Sequence, residues 1–398
     1  MTQSRRVAEN GKHFKRNSAP LRLCVSFLLF VTGIGLVSAQ RPPDYYVYIG
    51  SYTNTTAKGI YVSEFDSTSG ALSAPRLVAE SVSPAQLWVA PNGRFLYAAN
   101  WQGSTDPIPA NTISAYAIDR RNGDLTFINK VSSGGLGPNQ VVVDPGGRVA
   151  VAVNYRSGSV AAFGLEKDGR ISEAFYIDQH EGQPQPPSKQ PGPRAHGVVF
   201  SSDSRFAYVA DIGLDRVYSY RLDAAKRTMA PIDPPSVAQP AGSGPRRLQL
   251  HPNGKFLYVN HETDSKVSVF EVDGSRLKQI QTLSTLPADH KGNNTTAEIQ
   301  IDQTGKWLYV TNRGNDSIAH YAVDASKGTL ALVGHTPSGG RTPRNITIDP
   351  TNQYLIAANQ AGENIVVFKI DPKTGGLTPT GATGQVPQPG GMFFVKAQ

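Results

Sequence analysis

Four side chains of the sequence are of types that can drive hydrolysis at a carbonyl carbon. His196 and Glu262 could each serve as a general base that takes a proton from water. Arg246 and Arg313 could stabilise the negative charge that develops on the carbonyl oxygen. His196 and Arg246 are 50 residues apart, and Glu262 and Arg313 are 51 apart. This spacing predicts that the four side chains occupy corresponding places in a repeated structure.

The four candidate catalytic side chains must be positioned by short strands, and the pattern of one such strand recurs seven times. Each copy is a turn followed by an aromatic and β-branched run that ends on a polar residue, as in GRFLYAAN and GKWLYVTN. The interval between copies averages about 51 residues, a length typical of one four-stranded propeller blade. The runs end at Ser51, Asn100, Asn154, Asp211, His261, Asn312 and Asn359.

The fifth copy shows how each period divides into strands. Residues 244–254 form a short strand and a Pro-Asn-Gly turn, and residues 255–260 form the second strand. Residues 266–273 alternate as a half-buried strand does, and residues 277–283 complete the unit. We therefore expect four strands in each repeat.

The two ends of the chain predict how the ring closes. The first copy has no strand before Tyr46, and the segment GGMFFVKAQ at 390–398 resembles the missing innermost strand. The predicted fold is all-β, a seven-bladed β-propeller whose first blade is closed by the C-terminal strand, which leaves few free sheet edges. A broken sandwich or an open solenoid is the alternative.

The first 39 residues are typical of a secretory signal peptide. Six Lys and Arg residues precede a 15-residue apolar run at 23–37, and Val37-Ser38-Ala39 is a small-residue cleavage pattern. We expect a mature propeller of residues 40–398, periplasmic or secreted, with no stable membrane span after cleavage. An uncleaved anchor is the alternative, although the run is shorter than the ~20 residues of a spanning helix.

Composition excludes several classes of partner and cofactor. The formal net charge of the whole chain is +8, and residues 1–39 contribute +5 of it. The mature chain therefore has a net charge of +3, and no nucleic-acid partner is expected. Cys24, the single cysteine, lies in the predicted signal peptide, which excludes disulfides and cysteine metal sites in the mature chain. Phosphate-binding Gly-Lys-Ser/Thr loops, HExxH and GxSxG are absent. We expect no cofactor, no metal and a monomer.

Propeller geometry brings the start of each first strand and the end of each second strand to one mouth. Charged residues at these places belong to blades four to seven, whereas blades one to three carry mostly neutral groups. An anionic small molecule could bind on the arginine side. The predicted substrate-binding residues are Arg344, Arg247, Arg194, Asp211, Glu298 and Asn154. As alternatives, Asp211 and the strand-end asparagines cap turns, and His196 is a satisfied core histidine.

Five segments together resemble the seven-bladed propeller lactonase family, which contains bacterial 6-phosphogluconolactonase and fungal carboxy-cis,cis-muconate cyclase. They span the mature chain and include RAHG at 194–197, GPRR at 244–247, NRG at 312–314 and TPRN at 342–345. The resemblance implies a mouth site built from the His of AHG (His196), the Arg of GPR (Arg246), the Glu after the next strand (Glu262) and the Arg of NRG (Arg313). Members of that family commonly carry His where this chain has Arg194 and Arg247.

The resemblance and the residues together predict a lactone hydrolase similar to 6-phosphogluconolactonase. Water would attack a sugar-derived lactone with His196 or Glu262 as the general base, and the substrate would be an anionic small molecule. Two alternatives stay open: a secreted propeller of the YVTN repeat type that only binds partners, and a muconate-type cycloisomerase that uses the same site. The predicted signal peptide is unusual for this family, because phosphorylated pentose-pathway lactones are cytoplasmic.

Overall fold

The computed structural model describes residues 43–101 and 111–398, in which strands are joined by turns and loops without any α-helix. Blades 1 to 3 contain β1 (Tyr45–Ser51), β2 (Gly59–Phe65), β3 (Arg76–Glu80), β4 (Pro84–Val89), β5 (Phe95–Asn100), β6 (Thr112–Ile118), β7 (Leu125–Ser132), β8 (Pro138–Val143), β9 (Val149–Asn154), β10 (Ser159–Leu165) and β11 (Ile171–Gln179).

Blades 4 to 7 continue the same pattern of four strands. They contain β12 (Ala195–Phe200), β13 (Phe206–Asp211), β14 (Arg216–Asp223), β15 (Thr228–Ala238), β16 (Pro245–Leu250), β17 (Phe256–His261), β18 (Lys266–Asp273), β19 (Arg276–Ser284), β20 (Thr295–Ile301), β21 (Trp307–Arg313), β22 (Ser317–Val323), β23 (Leu330–Pro337), β24 (Pro343–Ile348), β25 (Tyr354–Asn359), β26 (Asn364–Ile370) and β27 (Leu377–Gln385). The last strand, β28 (Pro389–Lys396), belongs to blade 1.

The ring closes through the C-terminal strand, as the sequence predicts. β28 pairs antiparallel with β1, so blade 1 has the strand order β28-β1-β2-β3. Every other blade is an antiparallel sheet of four consecutive strands. The innermost strands β28, β4, β8, β12, β16, β20 and β24 contact one another in sequence around the axis. The predicted seven-bladed propeller is therefore confirmed.

The core lies between blades rather than within one. The second strand of blade 2, β5, is buried on both faces because its neighbours in the ring cover it. Tyr97 and Ala99 from this strand pack with Val141 and Ala152 of blade 3 in one cluster. Alternate residues of the same strand, Leu96 among them, pack toward blade 1. Continuous apolar runs at the second strands follow from this two-sided burial.

On the side opposite the mouth, tyrosines link six of the seven blades to the next. Tyrosines three residues before the polar residue that closes the repeated run donate hydrogen bonds of 2.5–3.1 Å to glycine carbonyl oxygens in the hairpin between the third and fourth strands of the following blade. The pairs are Tyr48 with Gly123, Tyr97 with Gly169, Tyr208 with Gly274, Tyr258 with Gly328, and Tyr309 with Gly375. Blade 7 reaches Thr68 of blade 1 through Tyr354, so the linkage also crosses the closure.

The predicted signal peptide at residues 1–39, and with it the boundary of the predicted domain at residue 40, lies outside the described residues. Within 43–101 and 111–398, no helix has the length and apolar character needed to cross a bilayer.

Candidate functional site

A β-bulge near the start of every innermost strand shapes the mouth. The pairing of the innermost strand with the second strand shifts register in all seven blades, immediately after the strand begins. Such a bulge adds a residue to one strand and re-aims its side chain. In four blades a large polar residue occupies this place: Asn139, His196, Arg246 and Arg344. In the others it is Ala85, Ala297 or Gly390, which have small side chains or none.

A carboxylate held by two guanidinium groups lies on blades 5 and 6. The Arg246 Nε donates to Glu262 Oε2 at 2.7 Å, and Arg313 Nη2 lies 3.1 Å from the same oxygen. Arg246 also donates to the carbonyl oxygen of Ala297, and Arg313 donates to that of Thr296 at 2.9 Å. The structure therefore brings together three of the four predicted catalytic residues.

The charges of this cluster are set by burial and mutual attraction. Burial alone would raise the pKa of Glu262, but Arg246 and Arg313 beside it hold that pKa below its ordinary value. Burial and the neighbouring Arg246 lower the pKa of Arg313 to about 10. At neutral pH the carboxylate is therefore ionised and both guanidinium groups are protonated.

The fourth predicted catalytic residue, His196, is buried beside the cluster on blade 4. Its ring lies 5.6 Å from that of Tyr155, edge to face. The Asn139 amide nitrogen contacts its Nδ1 at 2.9 Å and its Nε2 at 3.2 Å. Burial, and then Arg246 and Arg247, hold the pKa of His196 well below its ordinary value, so the imidazole is neutral at pH 7.

Arg247 and Glu298, both predicted to bind substrate, are buried behind the mouth. With Asn345 they form a layer of buried polar side chains, called the buried belt below. Arg247 is 2% exposed, and its Nε is 3.8 Å from Glu298 Oε2. Asn345 donates to the same Glu298 oxygen at 2.7 Å, and its own side-chain oxygen accepts from the Met392 N–H at 3.1 Å. Burial lowers the pKa of Arg247 to about 10, although Glu298 opposes the shift. Together with Asn345, these two side chains join blades 5, 6, 7 and 1.

Arg344, like Arg194, is a guanidinium at the mouth that has no ion pair among the described residues. It is half-buried, and its Cζ lies 4.8 Å from the ring centroid of Tyr52. The Nε of Arg344 is buried without a hydrogen-bond partner in the described part of the chain. Its charge is felt by His196, Arg246 and Glu262, which places it beside the cluster.

The remaining predicted binding residues have protein partners. Arg194 lies 5.4 Å from the ring centroid of Tyr155 and donates to the Arg156 carbonyl oxygen at 2.6 Å. Asp211 accepts from three backbone N–H groups and contacts His180 Nδ1 at 2.6 Å. Asn154 donates to the Ser133 carbonyl oxygen at 3.0 Å. Turn capping accounts for the Asp211 bonds to the Gly213 and Leu214 N–H groups, whereas the other contacts of Asp211 and that of Asn154 reach more distant segments. The binding role of both residues stays a prediction.

Three aromatic residues at the mouth are missing from the predicted set. Tyr52, Trp101 and Tyr155 each follow the last residue of a second strand, on blades 1 to 3. Trp101 and Tyr155 have ring centroids 5.7 Å apart, and Tyr155 contacts His196. Glu262 follows the corresponding strand of blade 5. The sequence contains the information needed to find these aromatic residues, because each stands one residue after the polar residue on which the repeats are aligned.

This arrangement suits acid–base chemistry on an electrophilic carbonyl. It offers an ionised carboxylate, a neutral imidazole and protonated guanidinium groups within one mouth. No group of three His, Cys, Asp or Glu side chains in the two described ranges is placed to hold a metal ion.

Comparisons with known proteins agree with this architecture and chemistry. The family model described as lactonase, 7-bladed β-propeller, matches residues 46–394. The 6-phosphogluconolactonase of Bacillus subtilis (strain 168) is 33% identical over 300 residues, which cover 73% of this chain and 80% of that protein. The 6-phosphogluconolactonase of Formosa agariphila is 31% identical over 297 residues, 73% and 83% of the two chains.

Solved structures give the same result. The periplasmic gluconolactonase of Pseudomonas aeruginosa superposes with a TM-score of 0.84 at 30% sequence identity, covering 89% of this chain and 99% of that one.

Proposed function

Because the chain belongs to the seven-bladed β-propeller lactonase family, we propose that it is an enzyme that hydrolyses a sugar-derived lactone at the mouth. The observation that carries the proposal is the Glu262 carboxylate held by Arg246 and Arg313 beside the neutral His196. A propeller that only binds partners would not require a carboxylate, two guanidinium groups and a neutral imidazole side by side. The names of the relatives, 6-phosphogluconolactonase and gluconolactonase, agree with the substrate class.

Glu262 is the general base in this proposal. Its Oε2 is held by two guanidinium groups, whereas its Oε1 receives no hydrogen bond from the described residues, and the side chain is 23% exposed. An attacking water bound to Oε1 would lose a proton to it as the new carbon–oxygen bond forms. When the tetrahedral intermediate collapses, the bond from the acyl carbon to the ring oxygen breaks, and the proton on Glu262 passes to that ring oxygen, which leaves as a hydroxyl group and restores the carboxylate. A positioned general base contributes about 10²–10⁴-fold to a rate.

His196 and the arginines stabilise the oxygen that gains charge. The Asn139 amide donates to the nearer ring nitrogen of His196, Nδ1, so the neutral imidazole acts through its N–H at the other nitrogen as a hydrogen-bond donor. Arg313 has a buried Nε–H without a partner among the described residues. Donors of this kind, aimed at a developing oxyanion in a site that excludes water, lower the barrier to its formation.

Arg344 binds an anionic group of the substrate. Because no carboxylate of the described residues pairs with it, its charge is available to a phosphate or carboxylate group.

We place the enzyme in the periplasm or outside the cell, as a monomer. The predicted signal peptide and the periplasmic location named for the Pseudomonas relative support this compartment.

The test uses residues 40–398 and follows ring opening of 6-phosphogluconolactone and of unphosphorylated gluconolactone, corrected for spontaneous hydrolysis. We expect turnover, and we expect Arg344→Met to raise KM for the phosphorylated lactone about 10- to 100-fold, the size of a lost charge-assisted hydrogen bond. The exposed Arg276, on the opposite side of blade 5, gives the control Arg276→Met. Absence of turnover on both lactones would overturn the proposed function, and equal effects on both would overturn the role of Arg344.

A further inference from the structure

The imidazole of His196 is held from the neighbouring blade by one amide. The Asn139 Nδ2 lies 2.9 Å from His196 Nδ1 and 3.0 Å from the carbonyl oxygen of the same histidine. Both residues occupy the bulge position of their innermost strands, on blades 3 and 4, and both are buried. One side chain therefore fixes the backbone and the ring of His196 together.

The chemistry of the amide fixes the position of the proton on the ring. A side-chain amide nitrogen carries two hydrogens and cannot accept, so the ring nitrogen to which it donates must be unprotonated. Nδ1 lies 2.9 Å and Nε2 lies 3.2 Å from the amide nitrogen. Nδ1 is the nearer nitrogen, and we assign the bond to it. A neutral imidazole has a single ring proton, which then resides on Nε2.

The surroundings keep the ring neutral. Burial and four arginines disfavour the imidazolium: Arg246 and Arg247 on β16, Arg344 on β24, and Arg313 at the end of β21. Tyr155 contacts the ring from blade 3, and no carboxylate of the described residues bonds to it. The resting state is thus one tautomer rather than a mixture of charged and uncharged forms.

The buried belt fixes the two residues from behind. Arg247 Nη1 lies 3.4 Å from the His196 carbonyl oxygen, and its Nη2 lies 3.5 Å from that of Asn139. Glu298 faces the Nε of Arg247 at 3.8 Å and accepts from Asn345. These contacts restrain the spacing between the two bulges, so that the Asn139 amide stays within reach of the ring.

From this geometry we propose that Asn139 is a positioning residue for catalysis, which holds His196 in the Nε2–H tautomer and directs that N–H toward the substrate. The proposal rests on the lactone hydrolysis proposed above. Asn139 would act through His196 and would not itself react.

The first test is the kinetics of Asn139→Ala on whichever lactone the wild-type protein hydrolyses. Loss of a partner that orients a functional histidine typically lowers activity about 10- to 100-fold. We expect a fall of this size in kcat with little change in KM, because Arg344 and the rest of the mouth remain. An unchanged kcat, in a protein whose His196→Ala variant is inactive, would overturn the proposal.

A control separates positioning from stability. Asn129 is a half-buried asparagine on β7, the outermost strand of blade 2, and its side chain donates to the Ile171 carbonyl oxygen at 2.8 Å. Asn129→Ala should lower the melting temperature and leave kcat of the folded protein unchanged. An equal fall in kcat for both variants would show that Asn139 has only a structural role.

The second test reads the ring directly and does not require turnover. In ¹⁵N-histidine spectra, with the His196 signals identified by their absence from His196→Gln, the wild-type protein should show the Nε2–H tautomer and no titration between pH 5 and 8. In Asn139→Ala we expect a tautomer mixture. In Asn139→Asp a carboxylate replaces the donor, so the ring should protonate within that range.

These readouts distinguish the two proposals. A wild-type protein without lactonase activity overturns the proposed function, while the spectra still decide whether Asn139 fixes the ring. The same tautomer in the wild-type protein and in Asn139→Ala would overturn the role of Asn139 even in an active enzyme.

Discussion

The two sides of this propeller use the same repeat in opposite ways. On the side away from the mouth, five blades place a tyrosine at the same position and bond it to a glycine carbonyl oxygen of the next blade. At the mouth, the corresponding bulge position holds an amide, an imidazole or a guanidinium on some blades and a small residue on others. The residue type at the repeated position is kept in most blades where neighbouring blades contact each other, and it varies from blade to blade at the mouth.

The difference follows from what each side must do. Docking repeats the same contact around the ring, because every blade meets its neighbour at a similar angle and distance. A site for an asymmetric small molecule needs different groups at different points of one circle. Bulges allow this difference, since they re-aim a single side chain without altering the strand that carries it.

The largest effect should come from the mouth. Glu262→Gln keeps the shape of the side chain and removes the negative charge that the proposed base supplies. We expect kcat to fall about 10²–10⁴-fold, the usual contribution of a general base. Steady-state hydrolysis of the preferred lactone measures it.

Glu271→Gln, on the exposed face of β18, controls for the loss of one carboxylate elsewhere in the same blade. Retention of more than a tenth of the wild-type kcat in Glu262→Gln would exclude Glu262 as the base and return that role to His196.

On the docking side, the sharpest change is Gly375→Ala. Gly375 has φ +68°, and an added Cβ would lie 2.5 Å from the Trp307 ring of blade 6. Gly93 has φ +67° with no atom near its Cβ position, so Gly93→Ala measures the backbone strain alone. Urea unfolding should show Gly375→Ala to be less stable than Gly93→Ala by about 1–3 kcal/mol, the usual effect of overpacking.

The activity of these two variants tests the separation of the two sides. At temperatures where both are folded, Gly375→Ala and Gly93→Ala should hydrolyse lactone at the wild-type kcat. Equal stability of the pair would show that blade docking at Gly375 tolerates a methyl group, and a reduced kcat would show that the docking side transmits strain to the mouth.

The sequence predicts the repeated side more completely than the mouth. Each blade supplies an independent copy of the same pattern, so strand positions and ring closure through residues 390–398 follow from the alignment of the copies. The gathering of Arg246, Glu262 and Arg313 also follows, because these residues stand at matching places in consecutive blades.

The sequence does not predict which partners the individual side chains around the bulges contact. Arg246 and Arg247 are adjacent in sequence, yet one pairs with Glu262 and the other lies in the belt beside Glu298. A register shift of one residue decides between these positions, and the repeat pattern does not encode it. The side-chain bonds of Asp211 and Asn154 depend in the same way on single contacts, some local and some with segments more than 20 residues away.

A smaller effect should appear in the pH dependence of stability. In the folded protein burial and arginines hold the pKa of His196 well below 6.5, whereas the unfolded chain protonates near 6.5. As pH falls below about 6.5 the unfolded state binds the additional proton, so the wild-type protein loses up to about 1.4 kcal/mol per pH unit at this residue. His196→Gln lacks this loss.

Urea unfolding of the wild-type protein and His196→Gln at pH 7, 6 and 5 measures this contribution. The difference between their free energies of unfolding should move in favour of His196→Gln as pH falls. Parallel curves would mean that His196 protonates as readily in the folded protein as in the unfolded chain, and would contradict the neutral imidazole assigned to the mouth.

The smallest effect should come from one bond of the docking side. Tyr258 donates to the Gly328 carbonyl oxygen at 3.1 Å, and Tyr258→Phe removes the hydroxyl while the ring stays in place. Because the buried carbonyl oxygen loses a partner, we expect a loss of about 1 kcal/mol in urea unfolding and an unchanged kcat. Blade 3 has Val151 at the equivalent position, so the ring already tolerates one blade without this bond. A loss several times larger would mean that the tyrosine bonds act cooperatively around the ring, because independent bonds would each contribute only their own small share.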